Sequence, residues 1–414
     1  MNSPSLKRQP HGMSLVELMV AVVISLVGVL VIFQVFAVNE DVRRNTTSGS
    51  DEQTSGLLAL LRLERELRLA GFGINDFDLM GCNMSMYDKQ SALPNVPPFA
   101  LAPVQIVSNA GATPDTISII YGDVSQTSAS VELGTDMTTP LDTVTLTYRY
   151  GFNTGDRFVI GQQLPPAPQP AVNCTMGEVN GLVGLIDLKH DTAGYVNTVS
   201  GLLVQPRFNA AAGFPVTYPY LAGKVMNLGQ NPTREQFTLS VGNADPTQNN
   251  KLYVQNFWAD AADPASSAQP VAEQIVALKA EYGMDDGNNN GTIQRTTYTA
   301  DDNIVDRYIG STDATAPNNL PLGQQQQQAW QRVRSVRLAV VSRSLVAAKP
   351  LQGTTCDATP DYTDDANYQV RWARGPDAPA GKKIDVRTSA DWRCYKYKVY
   401  ESVVPLRNVF WRQP

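Results

Sequence analysis

Histidine is nearly absent from this chain: of its 414 residues only His11 and His190 carry an imidazole. The side chain best suited to proton transfer and metal ligation near neutral pH is therefore almost unused. A Ser-His-Asp arrangement would have to rely on His190, in a Gly- and Asp-rich loop, and no nucleophile elbow, P-loop or H-E-x-x-H is present. Paired carboxylates leave no local signature, but nothing else marks a catalytic centre, and the expectation is a non-enzyme without a cofactor. Cysteine is scarce too. Cys82, Cys174, Cys356 and Cys394 stand far apart with no CxxC, a spacing that disfavours a structural zinc site. Charged residues make up 17% and the net charge is −6, so a basic surface that tracks phosphates is lacking and no nucleic acid is expected as a partner.

What the chain does have is one long apolar run near its start. No formal charge occurs between Leu18 and Val38, where Ser25 and Gln34 are the only clearly polar side chains. As a helix these roughly 21 residues rise about 30 Å, the thickness of a bilayer's hydrocarbon core. Lys7, Arg8 and His11 precede the run, and basic residues at one end place that end in the cytoplasm and the chain beyond residue 39 outside. Gly12-Met13-Ser14-Leu15-Val16-Glu17 joins leader to run. Secretory signals are cut after their apolar core, beside small residues; a cut after Gly12 lies before it and keeps the helix on the mature chain. Glu17 is costly there, by roughly 2–3 kcal/mol if carried toward the bilayer centre, and such a residue is a functional suspect.

This segment resembles the type III signal of type IV pilins. The resemblance implies cleavage after Gly12 by a prepilin peptidase and methylation of Met13, which stands where phenylalanine is usual. It also implies pairing of Glu17, fifth after the cut, with the free N-terminal amine of a neighbouring subunit. Loss of Lys7 and Arg8 with the leader takes the net charge from −6 to −8.

Further along, Leu57, Leu60, Leu63 and Leu67 recur at helical spacing, with Arg62–Glu66 and Glu64–Arg68 as i, i+4 pairs. Ala70-Gly71-Phe72-Gly73 supplies a stop. Residues 46–56, rich in Thr, Ser and Gly, predict a kink or melted link. Beyond residue 73, β-branched and aromatic alternation predicts strands at 116–121, 143–150, 157–160, 237–241, 251–257, 333–342 and 395–404. The Pro-rich stretch 164–170 and the Gly-Gln stretch 323–328 read as surface loops. The expected fold class is α+β, a long N-terminal helix on antiparallel β-sheet, with long loops and an insertion near 161–236. The expected domains are a cleaved leader at 1–12, a membrane or fibre-core half-helix at 13–38, an amphipathic half at 39–72, and a β-rich globular region at 73–414. A boundary between two lobes is expected near 235–265.

In the C-terminal half, Val271-Ala272-Glu273-Gln274-Ile275-Val276-Ala277-Leu278-Lys279-Ala280-Glu281-Tyr282-Gly283, then residues 333–344, then Val399-Tyr400-Glu401-Ser402-Val403-Val404-Pro405-Leu406-Arg407-Asn408 resemble the PilW family of minor pilins. From the residues alone, 271–283 suits a short helical turn leading into a strand. The resemblance implies a role in the tip or priming complex of the type IV pilus. Its implied partners are PilV-, PilX- and FimU-like minor pilins, a PilY-type tip protein, the major pilin and the inner-membrane assembly platform. It also implies a single-pass inner-membrane protein with a periplasmic globular part, reaching the pilus tip after assembly. A J-like type II secretion pseudopilin and a pilin-anchored adhesin are the alternatives.

Outside the cytoplasm four cysteines read as two disulfides with three connectivities. The pairing nearest in the chain, Cys82–Cys174 and Cys356–Cys394, is expected; the second closes a loop worth roughly 3–4 kcal/mol by chain entropy. Asp286-Gly287-Asn288-Asn289-Asn290-Gly291 fits the first half of a calcium loop, with Asp286, Asn288 and Asn290 as oxygen ligands. Thr297 stands where a bidentate glutamate is needed, so Asp301, Asp302 or Asp306 would have to substitute, and a turn that binds nothing is the plainer reading. Arg332, Arg334 and Arg337 predict a solvated sheet face.

Overall fold

The computed structural model describes residues 14–410 apart from 75, 77, 92–93, 109–112, 124–129, 142, 163–171, 198–200, 216–221, 242–248, 289–296, 298, 321–323, 349–355 and 376–378. The chain divides into two compact units, Met1–Asp51 and Glu52–Pro414.

One helix, Leu15–Leu69, takes up 55 residues. The melted link expected as one reading of 46–56 does not form: these residues are helical, because weak propensity yields to packing. At Gly56 an added Cβ would lie 2.2 Å from the Tyr400 ring, so the glycine serves as a seat for that ring. The helix ends where expected. Gly71 and Gly73 both have φ of 77°, and the Asn408 side-chain amide donates to the carbonyls of Arg68, Leu69 and Ala70 at 3.2, 3.2 and 3.1 Å. A residue near the far end of the chain thus satisfies the carbonyls a helix terminus leaves open.

Within the second unit, Ala59, Leu60, Leu63, Leu67 and Ala70 bury into the main core. Leu57, expected on that face, is exposed beside Leu58 and Leu61. Both expected side-chain pairs form, Arg62–Glu66 at 2.9 Å and Arg68–Glu64 at 3.4 Å.

Three larger sheets surround the core. The first orders Asn95–Ala100, Asn83–Tyr87, Asn173–Glu178, Arg157–Gly161, Lys224–Gly229 and Val131–Glu132; the second orders Gln269–Glu273, Lys251–Asn256, Thr233–Ser240, Thr116–Tyr121 and Val104–Val107. The third orders Arg307–Ile309, Ile275–Met284, Val333–Arg343 and Tyr397–Pro405. Pairing in these sheets is antiparallel except that Asn83–Tyr87 runs parallel to Asn173–Glu178. Beside that parallel pair lies the Cys82–Cys174 disulfide, and a second joins Cys356 to Cys394, with Cα separations of 5.9 and 4.7 Å.

The stretch 161–236 supplies two inner strands of the first sheet, and Thr233–Ser240 and Lys251–Asn256 pair as a hairpin. Several expectations are corrected. Residues 143–150 keep only the strand Val144–Thr145. The helical turn before Ile275 is the strand Gln269–Glu273, which Lys251–Asn256 recruits as an edge; Gln274, at φ 59°, turns the chain into Ile275–Met284. Of the polar loop expected at 323–328, residues 324–328 instead belong to a helix, Gln324–Gln331, and Gly323 lies outside the described residues. Glutamine is a good helix former, and this helix is anchored by Trp330, buried edge-on to Tyr282 at 5.7 Å, and by Gln327 donating to the Asp78 carbonyl.

Two buried acids make stability pH-dependent. Burial pushes the Glu52 carboxyl up to about 7, only partly opposed by Lys398. Burial, then repulsion from Glu66, pushes Glu235 up to about 7 as well, although Arg62 lies 3.2 Å away. Between about pH 4.5 and 7 the folded chain holds protons that the unfolded chain has released, so stability falls as pH rises through that window. The thermal midpoint of the full chain in detergent is expected to be higher at pH 5 than at pH 8, and Glu235→Gln to flatten the profile; a midpoint that rises with pH over this range refutes both assignments.

Candidate functional site

At the N-terminal end the helix is built for insertion. Leu15–Glu40 is a span of 26 residues with mean hydropathy 2.9, none of it buried within the chain. Its one hydroxyl is satisfied internally, Ser25 Oγ donating to the Ala21 carbonyl at 2.7 Å, as a low-dielectric surrounding demands. Gly12 and Met13 lie outside the described residues. Glu17 occupies the first helical turn, where the positive end of the helix dipole favours a carboxylate. Spacing places Leu18, Ala21, Val22, Ser25, Leu26 and Val29 on the same side as Glu17, an open stripe with a single charge at one end. Among the described residues Glu17 has no ion-pair partner.

In the second unit the other candidates resolve differently. Of the arginines expected on a solvated sheet face, Arg332 precedes the strand and pairs with Asp301 at 2.9 Å while partly exposed, but Arg334 and Arg337 are buried. Arg334 meets Asp285 at 2.9 Å with side chains 1% and 0% exposed, and Asp285 also accepts from the Asn303 amide at 2.8 Å. Arg337 pairs with Glu281 at 2.5 Å and lies 4.1 Å from the Tyr308 ring, while Lys382 reaches the same glutamate. A second apolar cluster explains the covering: Val276, Ala339 and Val341 pack against Tyr368, Trp372, Ile384 and Val386, drawn from the loop that Cys356–Cys394 closes. Neighbouring charges alone did not signal these partners, which are up to 56 residues away.

The candidate calcium ligands are placed as follows. Asp286 receives Arg307, Nε at 3.0 Å and Nη2 at 2.5 Å from Oδ2, so a guanidinium already holds this carboxylate. The Asn288 amide donates to Asp286 Oδ1 at 3.1 Å, an Asx turn. Asn290 lies outside the described residues, and among those described no cluster of three His, Cys, Asp or Glu is poised around a metal-sized gap. His190 is buried and stacks on Phe214, ring centroids 4.1 Å apart at 11°.

What sequence reasoning missed is a buried polar cluster in residues 88–260. Arg207 donates to both oxygens of Asp88 at 2.7 Å and to the carbonyls of Phe257, Trp258 and Ala259. Glu178 accepts from the Tyr195 hydroxyl at 2.6 Å and from the Arg207 amide at 2.9 Å. These residues are scattered over loops and strands, and no local spacing announces them.

Comparison with known proteins yields two family matches. Residues 237–408 match the family described as type IV pilus-assembly protein W, PilW, and residues 7–33 match the prokaryotic N-terminal methylation motif. No curated protein matches the chain. Among solved structures it is similar to a type IV-like pilin from Thermus thermophilus, at 10% identity, covering 43% of this chain and 66% of that one with a TM-score of 0.19. The chain thus spans just under two thirds of that pilin's length. It joins an N-terminal methylation motif, at the head of a membrane-length apolar helix, to a region over 237–408 that matches the PilW family of type IV pilus-assembly proteins.

Proposed function

We propose that this protein is a minor pilin that takes part in the tip or priming complex from which the type IV pilus grows. Its role is structural rather than enzymatic. A prepilin peptidase cuts after Gly12 and methylates Met13, and the chain then waits in the inner membrane with Glu52–Pro414 in the periplasm. The apolar helix leaves the bilayer when its stripe packs against the helices of other minor pilins. The observation that carries this reading is Glu17: a lone carboxylate in the first turn of an unburied 26-residue apolar span, five places after the glycine of a methylation motif. A unit as large as Glu52–Pro414 suits the end of a fibre better than its shaft, where every subunit is crowded by neighbours. The partners that follow are PilV-, PilX- and FimU-like subunits, a PilY-type tip protein, the major pilin and the assembly platform.

The test is the amount of pilus sheared from cells lacking this protein, measured also where retraction is blocked and with enzyme export assayed alongside. Pili that disappear, or return only without retraction, with export intact, are the expected result. Abundant pili with failed export make the protein a secretion pseudopilin instead. Normal pili with lost attachment make it an adhesin carrier.

A further inference from the structure

Arg157 and Arg207 both lie against the ring of Phe208, each guanidinium carbon 4.9 Å from its centroid, yet only one of them is saturated. Arg207 spends its donors on Asp88 and three carbonyls. Arg157 is 8% exposed, and its Nε has no hydrogen-bond acceptor among the described residues. The nearest carboxylate, Asp260, is 3.7 Å away with a side chain 65% exposed. Glu178, whose two oxygens accept from the Tyr195 hydroxyl and the Arg207 amide, makes no hydrogen bond to that Nε either. A buried donor left without an acceptor is costly, and native proteins rarely tolerate one without a reason.

Arg157 borders a cavity of about 540 Å³, whose wall also includes Tyr195, Asn197, Gln205, Gln230, Asn231 and Asp260. Gly155, at φ 94°, keeps that wall open: a Cβ there would press to 3.2 Å from the Tyr195 ring. The charges decide the class of ligand. Arg207 and Asp88 cancel, leaving the cation of Arg157 against the carboxylates of Glu178 and Asp260, so a free anion gains little. Amides, a phenol and a carboxylate beside a donor-only guanidinium match a neutral molecule whose many hydroxyls both give and accept hydrogen bonds. A second cavity of about 400 Å³ adjoins the first, sharing Gln90, Arg207 and Ala261, with Phe257 and Trp258 in its wall. It leaves room for the next unit of a chain.

We propose that this cavity binds a neutral monosaccharide unit, free or terminal on a glycan, with Arg157 donating to its oxygens and Asp260 accepting from its hydroxyls. The proposal stands apart from the pilus-assembly reading, and its test needs no pilus. The full chain in detergent is titrated with D-glucose, D-galactose, D-mannose and N-acetyl-D-glucosamine, with D-glucuronate and L-alanine as charged comparators, and followed by saturation-transfer NMR and calorimetry. Saturable binding of at least one neutral sugar is expected. Binding should weaken about tenfold in Arg157→Gln, as loss of a hydrogen bond to a charged group implies, and also weaken in Asp260→Asn, which changes only an exposed side chain. Should Arg157→Gln fail to fold by circular dichroism, Asp260→Asn decides. The proposal is overturned if no neutral sugar binds, if a charged comparator binds more tightly than the sugars, or if the folded variants bind as the wild type does.

Discussion

Replacing Glu17 with alanine is expected to leave cleavage after Gly12 intact and to cut incorporation into sheared fibres at least tenfold. Glu17 is the only charged side chain from residue 13 to residue 39. An acid in an apolar helix costs roughly 2–3 kcal/mol toward the bilayer centre, and a ratio of ten needs only about 1.4 kcal/mol, so a productive pairing with an amine readily supplies the effect. The substitution removes that pairing but makes the helix easier to keep in the membrane. The variant should therefore accumulate as processed protein in the membrane fraction. Glu17→Gln should behave similarly, since it retains shape and hydrogen bonding but not charge. Immunoblots of membrane and sheared fractions distinguish the outcomes; wild-type amounts in the sheared fraction would sink the pairing idea.

The second large effect concerns stability. Arg334→Met is expected to destabilise the folded chain by about 3–5 kcal/mol, because it leaves the fully buried Asp285 carboxylate without its cation. Methionine keeps much of the side-chain volume, so the loss reports charge rather than a cavity. Adding Asp285→Asn should recover part of it: the amide oxygen can still accept from Asn303, and no buried charge remains. Denaturant midpoints of the full chain in detergent measure both variants. A single-variant loss below about 1 kcal/mol, the range of exposed pairs, would show that water reaches this site.

Part of this protein was written locally, and that part was legible. The uncharged run from Leu18 to Val38, the glycine stop at 71–73 and the alternating strands depend on residues a few places apart, so their periodicity survives in the one-dimensional record. The disulfides joined nearest partners in the chain, as chain entropy favours. The N-terminal methylation motif over 7–33 was legible for the same reason, since a processing signal is read as a linear segment.

The rest was decided between elements distant in sequence. Arg334 and Arg337 looked like surface charges until Asp285 and Glu281 met them across a strand pair and the 356–394 loop covered one face. Five consecutive glutamines looked like a loop until Trp330 found Tyr282. The cavity at Arg157 assembles residues from 90 to 262, and no short window of sequence contains it. A sequence alone determines which residues are apolar, charged or conformationally free; only tertiary structure decides which of the charged ones lose water, because desolvation depends on neighbours that folding brings together.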